Sequence, residues 1–317
     1  MVDRGSFEAV LSDLSEAGSQ GLRMKSLVVS SPDGVFAEDF GAPGARVDLR
    51  SISKLAVSMA LGIAISDGVR LRGEPLALDM RVAPFFEDFA DRQSAESRRH
   101  WGEVRLRHLL SNTLGHREGF LFRRDVQDQD SSELLGYIFD QEISFPPGVH
   151  FSYSNVGWYL VSAMVRRELG KSLSGFLSEL LFDGIGISDF SWRKYDEHEA
   201  GATGLAVSGR DLHKLGQVLL RDGWYGDAEV VPGSWVDTIR SPVVRAASGY
   251  DASSPLQASG YGYGIWICPD GTYYCDGSGG QFVIVVPGER LVITALADQG
   301  DTLAVSHCLR RILATPR

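Results

Sequence analysis

Ser51-Ile-Ser-Lys-Leu-Ala-Val-Ser-Met-Ala-Leu-Gly-Ile-Ala-Ile65 is apolar or small around nearly its whole circumference, the pattern of a helix buried on most sides rather than of an amphipathic surface helix. Lys54 is the exception. In the first turn of such a helix a lysine either escapes to solvent or accepts desolvation, which lowers its pKa and leaves an amine able to take a proton. Ser51 precedes it by three residues, so hydroxyl and amine share one helix face with about 5 to 6 Å between Cβ atoms. Ser51 also stands at the helix start, where its backbone N–H has no intrahelical partner and can face an oxyanion. Taken alone, the same four residues are equally an N-capping serine beside a snorkelling lysine.

Further on, Phe145-Pro-Pro-Gly-Val-His-Phe-Ser-Tyr-Ser-Asn-Val-Gly-Trp-Tyr-Leu160 reads as a proline-gated turn, a short extended piece ending in Tyr153-Ser154-Asn155, and a helix. Tyr and Asn are thereby presented at a helix start, where Asn155 alone would be an N-cap and Tyr153 a core aromatic. A third stretch, Tyr274-Cys-Asp-Gly-Ser-Gly-Gly280, is a strand running into a glycine turn.

Ser51-x-x-Lys54, Tyr153-x-Asn155 preceded by Pro147-Gly148, and the Gly-rich segment at Gly277, in that chain order, resemble the serine β-lactamase and penicillin-binding superfamily in its class C-like branch. Arg107-His-Leu-Leu-Ser-Asn-Thr113, Gly204-Leu-Ala-Val-Ser-Gly-Arg-Asp-Leu212 with Leu215-Gly216, and Tyr274 to Pro287 also look like stretches typical of that branch. The resemblance therefore covers most of the chain. It implies Ser51 as nucleophile, Lys54 and Tyr153 sharing the proton transfer, and Asn155 holding the substrate's acyl-side amide or a neighbouring polar group. The oxyanion hole it implies joins the N–H of Ser51 to that of Ser278. A tyrosine titrates at about 10, so Tyr153 is a base at neutral pH only as a phenolate stabilised by a cation such as Lys54; otherwise it relays a proton toward that amine.

The third motif departs from the family. The usual Lys/His-Thr/Ser-Gly is replaced by Cys275-Asp276-Gly277, and Ser278-Gly279-Gly280 is one residue shorter than the common spacing. These residues, Cys275 to Ser278, are the expected substrate-binding strand, and an Asp where the family receives a substrate carboxylate would repel one. The Ser-Asp-Asn and Glu-Pro-x-x-Asn signatures of class A enzymes are absent. Cys275 to Gly280 superficially resembles the nucleophile loop of chymotrypsin-like proteases, but Asp and Gly are transposed and His307 follows the serine. No Gly-x-Ser-x-Gly elbow and no Gly-x-x-x-x-Gly-Lys loop occurs, and His108 and His116 lack a third ligand and read as structural.

Around these motifs, Glu8 to Ala17 has helical periodicity, and Ser26 to Ser30 and Val35 to Phe40 flank the turn Ser31-Pro-Asp-Gly34. Near the other end, Gly264 to Cys268, Thr272 to Cys275, Phe282 to Val286 and Leu291 to Ala297 read as strands, and Asp301 to Leu313 as a closing helix. Between these ends the signals are mostly helical: Leu55 to Ser66, Leu106 to Ser111, Glu133 to Asp140, Val156 to Leu169, Phe176 to Phe182 and Arg210 to Arg221. The expected fold class is α+β, an antiparallel sheet built from both termini and flanked by helices (1–75 and 245–317), with an inserted mainly helical domain (76–244).

The 317 residues suffice for about two domains, and 44% hydrophobic with 23% charged residues is ordinary globular composition. A net charge of −10 repels polyanions, so neither nucleic acid nor an acidic membrane face is an expected partner. No export signal or membrane-length apolar run is visible, and three cysteines without ligand spacing argue against a disulfide framework or zinc site. The expectation is a cytoplasmic serine hydrolase acting on a small ester or amide without metal or organic cofactor. The alternatives are a transacylase using the same acyl-enzyme with an amine or alcohol acceptor, and a catalytically silent binding module that kept the pocket.

Overall fold

The computed structural model describes residues 2–19, 21–127, 129–246, 253–298, 300 and 302–313. Its centre is an eight-stranded antiparallel sheet. In chain order the strands are β1 (Met24–Ser31), β2 (Gly34–Asp39), β3 (Val244–Arg245), β4 (Gly260–Tyr261), β5 (Trp266–Ile267), β6 (Tyr273–Gly277), β7 (Gln281–Val286) and β8 (Leu291–Ala297). They lie side by side as β3-β4-β5-β6-β7-β8-β1-β2. The N-terminal hairpin joins the C-terminal meander through β1 and β8, with Leu27 opposite Ala295 and Val29 opposite Ile293. This is the α+β fold with one sheet drawn from both ends of the chain.

Successive side chains of a strand point to opposite faces, so both faces of the central strands need cover. On one face, Leu27, Val29, Ile284 and Ile293 pack with Phe7, Val10 and Leu14 of α1 (Arg4–Ser19) and with Val305, Leu309 and Ile312 from the chain end. On the other, Val283, Val285, Val292 and Leu296 join the larger core with Leu212, Leu215 and Leu219 of a helix at Gly209–Leu220. The closing helix is split into Thr302–Cys308 and Arg310–Leu313, its expected first residue Asp301 lying outside the described residues. The apolar segment that opened the reading is α2 (Ser53–Ser66), buried continuously from Ser53 through Ala64. Among the described residues no helix is long and apolar enough to cross a membrane.

Three helices carried no periodic signal, the shortest of them Arg123–Val126. Ala95–Glu103 is mostly polar and starts because the Ser94 hydroxyl accepts the Ser97 N–H at 3.2 Å. Gly233–Ile239 is short, and its Trp235 indole donates to the Ser58 carbonyl on α2 at 2.9 Å. The expected helix Phe176 to Phe182 is instead an α-helix at Leu173–Leu177 continued by a wider π turn at Ser178–Phe182.

Two buried histidines make stability depend on pH. His213 is clamped between Thr294 Oγ1 on β8 and Ser30 Oγ on β1, each at 2.9 Å, and burial pulls its pKa down to about 4. His116, packed edge-on against Phe120, is likewise pulled down to about 4 by burial. Above the unfolded value near 6.5 both states are neutral and nothing is lost. As pH falls from there toward 4 the unfolded chain takes the protons first, costing about 2 kcal/mol per histidine at pH 5. Urea midpoints should therefore drop between pH 7 and pH 5, and drop less in His213→Gln; equal slopes in the two proteins would refute the assignment.

Candidate active site

The nucleophile candidate does not sit on the helix itself. Ser51 lies in a 3₁₀ turn, Arg50–Ile52, that runs into α2 at Ser53. Arg50 takes a left-handed backbone with φ +53°, and its N–H donates to Asp48 Oδ1 at 2.9 Å. Ser53, fully buried, donates its hydroxyl to the Arg50 carbonyl at 2.7 Å and accepts the Leu205 N–H at 3.2 Å. The turn is thus held from its own side chains and from a neighbouring strand at Leu205–Val207. From the sheet, Gly277 at the end of β6 presses against it: a Cβ there would lie 2.6 Å from the Leu49 carbonyl and 2.9 Å from Arg50 Cβ. Only glycine allows that approach.

Lys54 does not escape to solvent. It is 1% exposed, and its Nζ donates to Ser51 Oγ at 3.0 Å, Asn155 Oδ1 at 2.9 Å and the Ala202 carbonyl at 3.3 Å. Burial pulls the ammonium down to about 7, while the nearby Asp276 carboxylate opposes the shift. Tyr153 is half-buried, with its ring centroid 4.9 Å from Lys54 Nζ and its hydroxyl bonded to Ser51. Burial, then the charge of Asp276, pushes its phenol well above the usual tyrosine range. The ring stacks on Trp266 at 5.5 Å and stands edge-on to Tyr261 at 5.9 Å, which fixes its plane.

Asn155 is the N-cap of α3 (Val156–Leu169), yet its side chain makes no cap bond. It turns inward, accepting from Lys54 and donating Nδ2 to the Leu121 carbonyl at 3.0 Å, so both ends of the amide are occupied by protein. Asn155 thus links the Lys54 amine to the Leu121 carbonyl, and Nδ2 carries a second N–H besides the one given to Leu121. The Tyr153 segment is tied to the 112–121 loop: Ser152 N–H donates to Asn112 O at 2.9 Å, and a Cβ on Gly119 would meet the Tyr153 carbonyl at 1.7 Å.

At the third motif the two candidate side chains part. Cys275 is buried, its thiol donates to the Gly264 carbonyl at 3.3 Å, and burial pushes it up, so it is a packed thiol rather than a thiolate. Asp276 is half-buried on the opposite face of the strand, where Trp266 Nε1 donates to its carboxylate at 2.9 Å beside Tyr153. Ser278 is exposed in the turn that follows. Gln281 braces that turn from below, accepting Gly279 N–H at 2.9 Å and donating to Ala297 O at 2.9 Å. His108 accepts from Arg105 N–H at 3.1 Å at its helix start and stands apart from the cluster.

The partners that tune the cluster went unread in the sequence. Ala202, Leu121 and Gly264 act through carbonyl oxygens, which leave no mark on residue identity. Asp48, three positions before Ser51, and Trp266 and Gln281, on the strands paired with β6, could have been sought as polar or aromatic residues beside a motif.

An α+β scaffold with Ser, Lys and Tyr gathered beside the end of an inner strand, here β6, is the architecture of the serine β-lactamases and penicillin-binding proteins. The chain belongs to the β-lactamase family, whose model matches residues 42–314. A D-aminopeptidase of Brucella anthropi is 25% identical over 261 residues, 75% of this chain and 45% of that protein, so the chain spans about half the length of that relative. A monacolin J acid methylbutanoyltransferase of Aspergillus terreus is 30% identical over 125 residues, 36% of this chain and 29% of its own. The solved octameric penicillin-binding protein homologue from Pyrococcus abyssi has the same fold: TM-score 0.76, 17% identity, 98% of this chain and 78% of that one.

Proposed function

We propose that the protein is a serine hydrolase that forms an acyl-enzyme on Ser51 and cleaves a small ester or amide, without metal, organic cofactor or macromolecular partner. The observation that carries the reading is Lys54 Nζ, 3.0 Å from Ser51 Oγ, in a pocket that brings its pKa to about 7. As a neutral amine Lys54 still has N–H bonds for Asn155 and Ala202, and its lone pair then faces the Ser51 hydroxyl. Ser51 Oγ attacks the carbonyl carbon as its proton passes to Lys54, and the oxyanion lies toward the N–H groups of Ser51 and Ser278. The leaving group departs with a proton relayed through Tyr153. Water then returns along the same path and frees the acid. A phenol pushed up by burial and by Asp276 stays protonated, which favours Tyr153 as the relay and Lys54 as the immediate base.

The pH profile tests this. Because the base must be neutral, kcat/KM for p-nitrophenyl acetate should rise through about pH 7 and level off above it. A flat profile from pH 5 to 9 would remove Lys54 from the role. A fluorophosphonate should add its phosphonyl group to Ser51, read by intact mass and peptide mapping; an unmodified Ser51 would leave a binding module.

A transacylase is the second reading, favoured by the partial identity to the methylbutanoyltransferase. It uses the same acyl-enzyme with an alcohol or amine in place of water. Adding a primary alcohol during turnover should yield the transferred ester beyond its molar share of the solvent; product in proportion to that share would mean hydrolysis only.

A further inference from the structure

We propose that Arg50, Arg123 and Arg193 form a receptor for a carboxylate carried by the substrate, at the Tyr195 edge of the cleft. The inference rests on the hydrolase reading and names the substrate class. Arg50 holds φ +53° immediately before Ser51. A glycine would adopt that conformation without strain, whereas the arginine carries a side chain there at some backbone cost. Its guanidinium is one-quarter exposed and reaches Asp48 Oδ2 only at 3.4 Å, and Arg193 reaches the same oxygen only at 3.7 Å. Both are longer than the roughly 2.8 Å of a made charge-assisted bond, so Asp48 does not saturate the two guanidiniums.

Arg123 opens the short helix Arg123–Val126, two residues after the Leu121 carbonyl that anchors Asn155. The half-buried Tyr195 phenol lies in the fields of Arg193, Arg123 and Arg50, with Asp48 the acid among them. The neighbouring Asp125 is occupied by Phe122 N–H at 2.9 Å and by Arg124 at 3.4 Å. At the Tyr195 phenol these three guanidiniums outnumber the Asp48 carboxylate on a chain of net charge −10, while Asp196 acts on Tyr159 and His198 and Glu197 on His198. Asp276 has a different partner, accepting from Trp266 Nε1 beside the Tyr153 ring. Planar guanidiniums match a carboxylate through paired N–H donors, which a lysine patch would not.

Two ester pairs place the carboxylate on either side of the scissile bond: monophenyl adipate against phenyl hexanoate, and 3-acetoxybenzoate against phenyl acetate. In at least one pair the anionic ester should have the higher kcat/KM. That ratio should fall roughly tenfold in Arg123→Gln and in Arg193→Gln, and also in 0.5 M NaCl as the charges are screened. Taking the ratio within each variant removes any loss of folded protein. Ratios of one or less in both pairs, or a ratio unmoved in the double variant, would overturn the receptor. Failure of all four esters would sink the hydrolase reading instead, and binding then decides this one. By calorimetry, Ser51→Ala should bind adipate and lose it when Arg123→Gln and Arg193→Gln are added; no binding by Ser51→Ala overturns the proposal.

Discussion

Replacing Ser51 by Ala should lower kcat/KM for p-nitrophenyl acetate by at least about a thousandfold, the scale seen when a serine nucleophile is removed, while Ser53→Ala and Ser278→Ala keep a measurable rate. All three serines lie close to the site, so geometry must separate them. Ser51 Oγ is the hydroxyl within 3.0 Å of Lys54 Nζ. Ser53 points the other way, its oxygen bonded to the Arg50 carbonyl and the Leu205 N–H. Its loss takes the hydroxyl from the buried Leu205 N–H, while the Arg50 carbonyl keeps the Ser53 backbone N–H, costing about 1 to 3 kcal/mol of stability. Ser53→Ala should accordingly melt lower and still turn over once folded. Ser278 is exposed and is asked only for its backbone N–H, which alanine keeps. Equal loss in Ser53→Ala, in protein folded by circular dichroism, would sink the assignment of Ser51.

The central fact about α2 was legible, because a segment apolar on every side has nowhere to go but the interior, and Lys54 inside it must then be desolvated. The position of Ser51 was not. Three-residue spacing suggested two side chains on one helix face, whereas the hydroxyl meets the amine because a 3₁₀ turn with Arg50 at positive φ precedes the helix. That turn is set by Asp48, Leu205 and Gly277, two of them far away in sequence and brought in by strand pairing. Asn155 was readable as a helix start, but the direction of its amide depends on Lys54 and on the Leu121 carbonyl, and a carbonyl is the same in every residue. The helix Ala95–Glu103 was invisible for a different reason: it buries only Ser97, His100 and Trp101, too few for an apolar period.

Penicillins and cephalosporins, which bring their carboxylate to the third-motif strand, should be poor substrates, with Asp276 the cause. The family strand normally offers a donor or cation where this chain has a carboxylate. A substrate carboxylate brought to about 5 Å of Asp276 at an effective dielectric near 20 would cost about 3 kcal/mol, roughly a hundredfold in affinity. A one-residue shift in strand register would turn Asp276 away and put Cys275 in the pocket. Cys275 is instead buried against the Gly264 carbonyl, and Asp276 lies on the half-exposed face beside Trp266 and Tyr153. Trp266 donates one hydrogen bond to that carboxylate but brings no positive charge, so the repulsion stands. Asp276→Thr should therefore raise nitrocefin turnover relative to a neutral ester by up to about a hundredfold. The same change removes a charge that opposes the lowered pKa of Lys54. With that support gone, the rising limb of kcat/KM should move to lower pH for the neutral ester as well. Efficient nitrocefin hydrolysis by the wild type, or a preference and a pH limb both unmoved in Asp276→Thr, would mean that the carboxylate does not face the substrate.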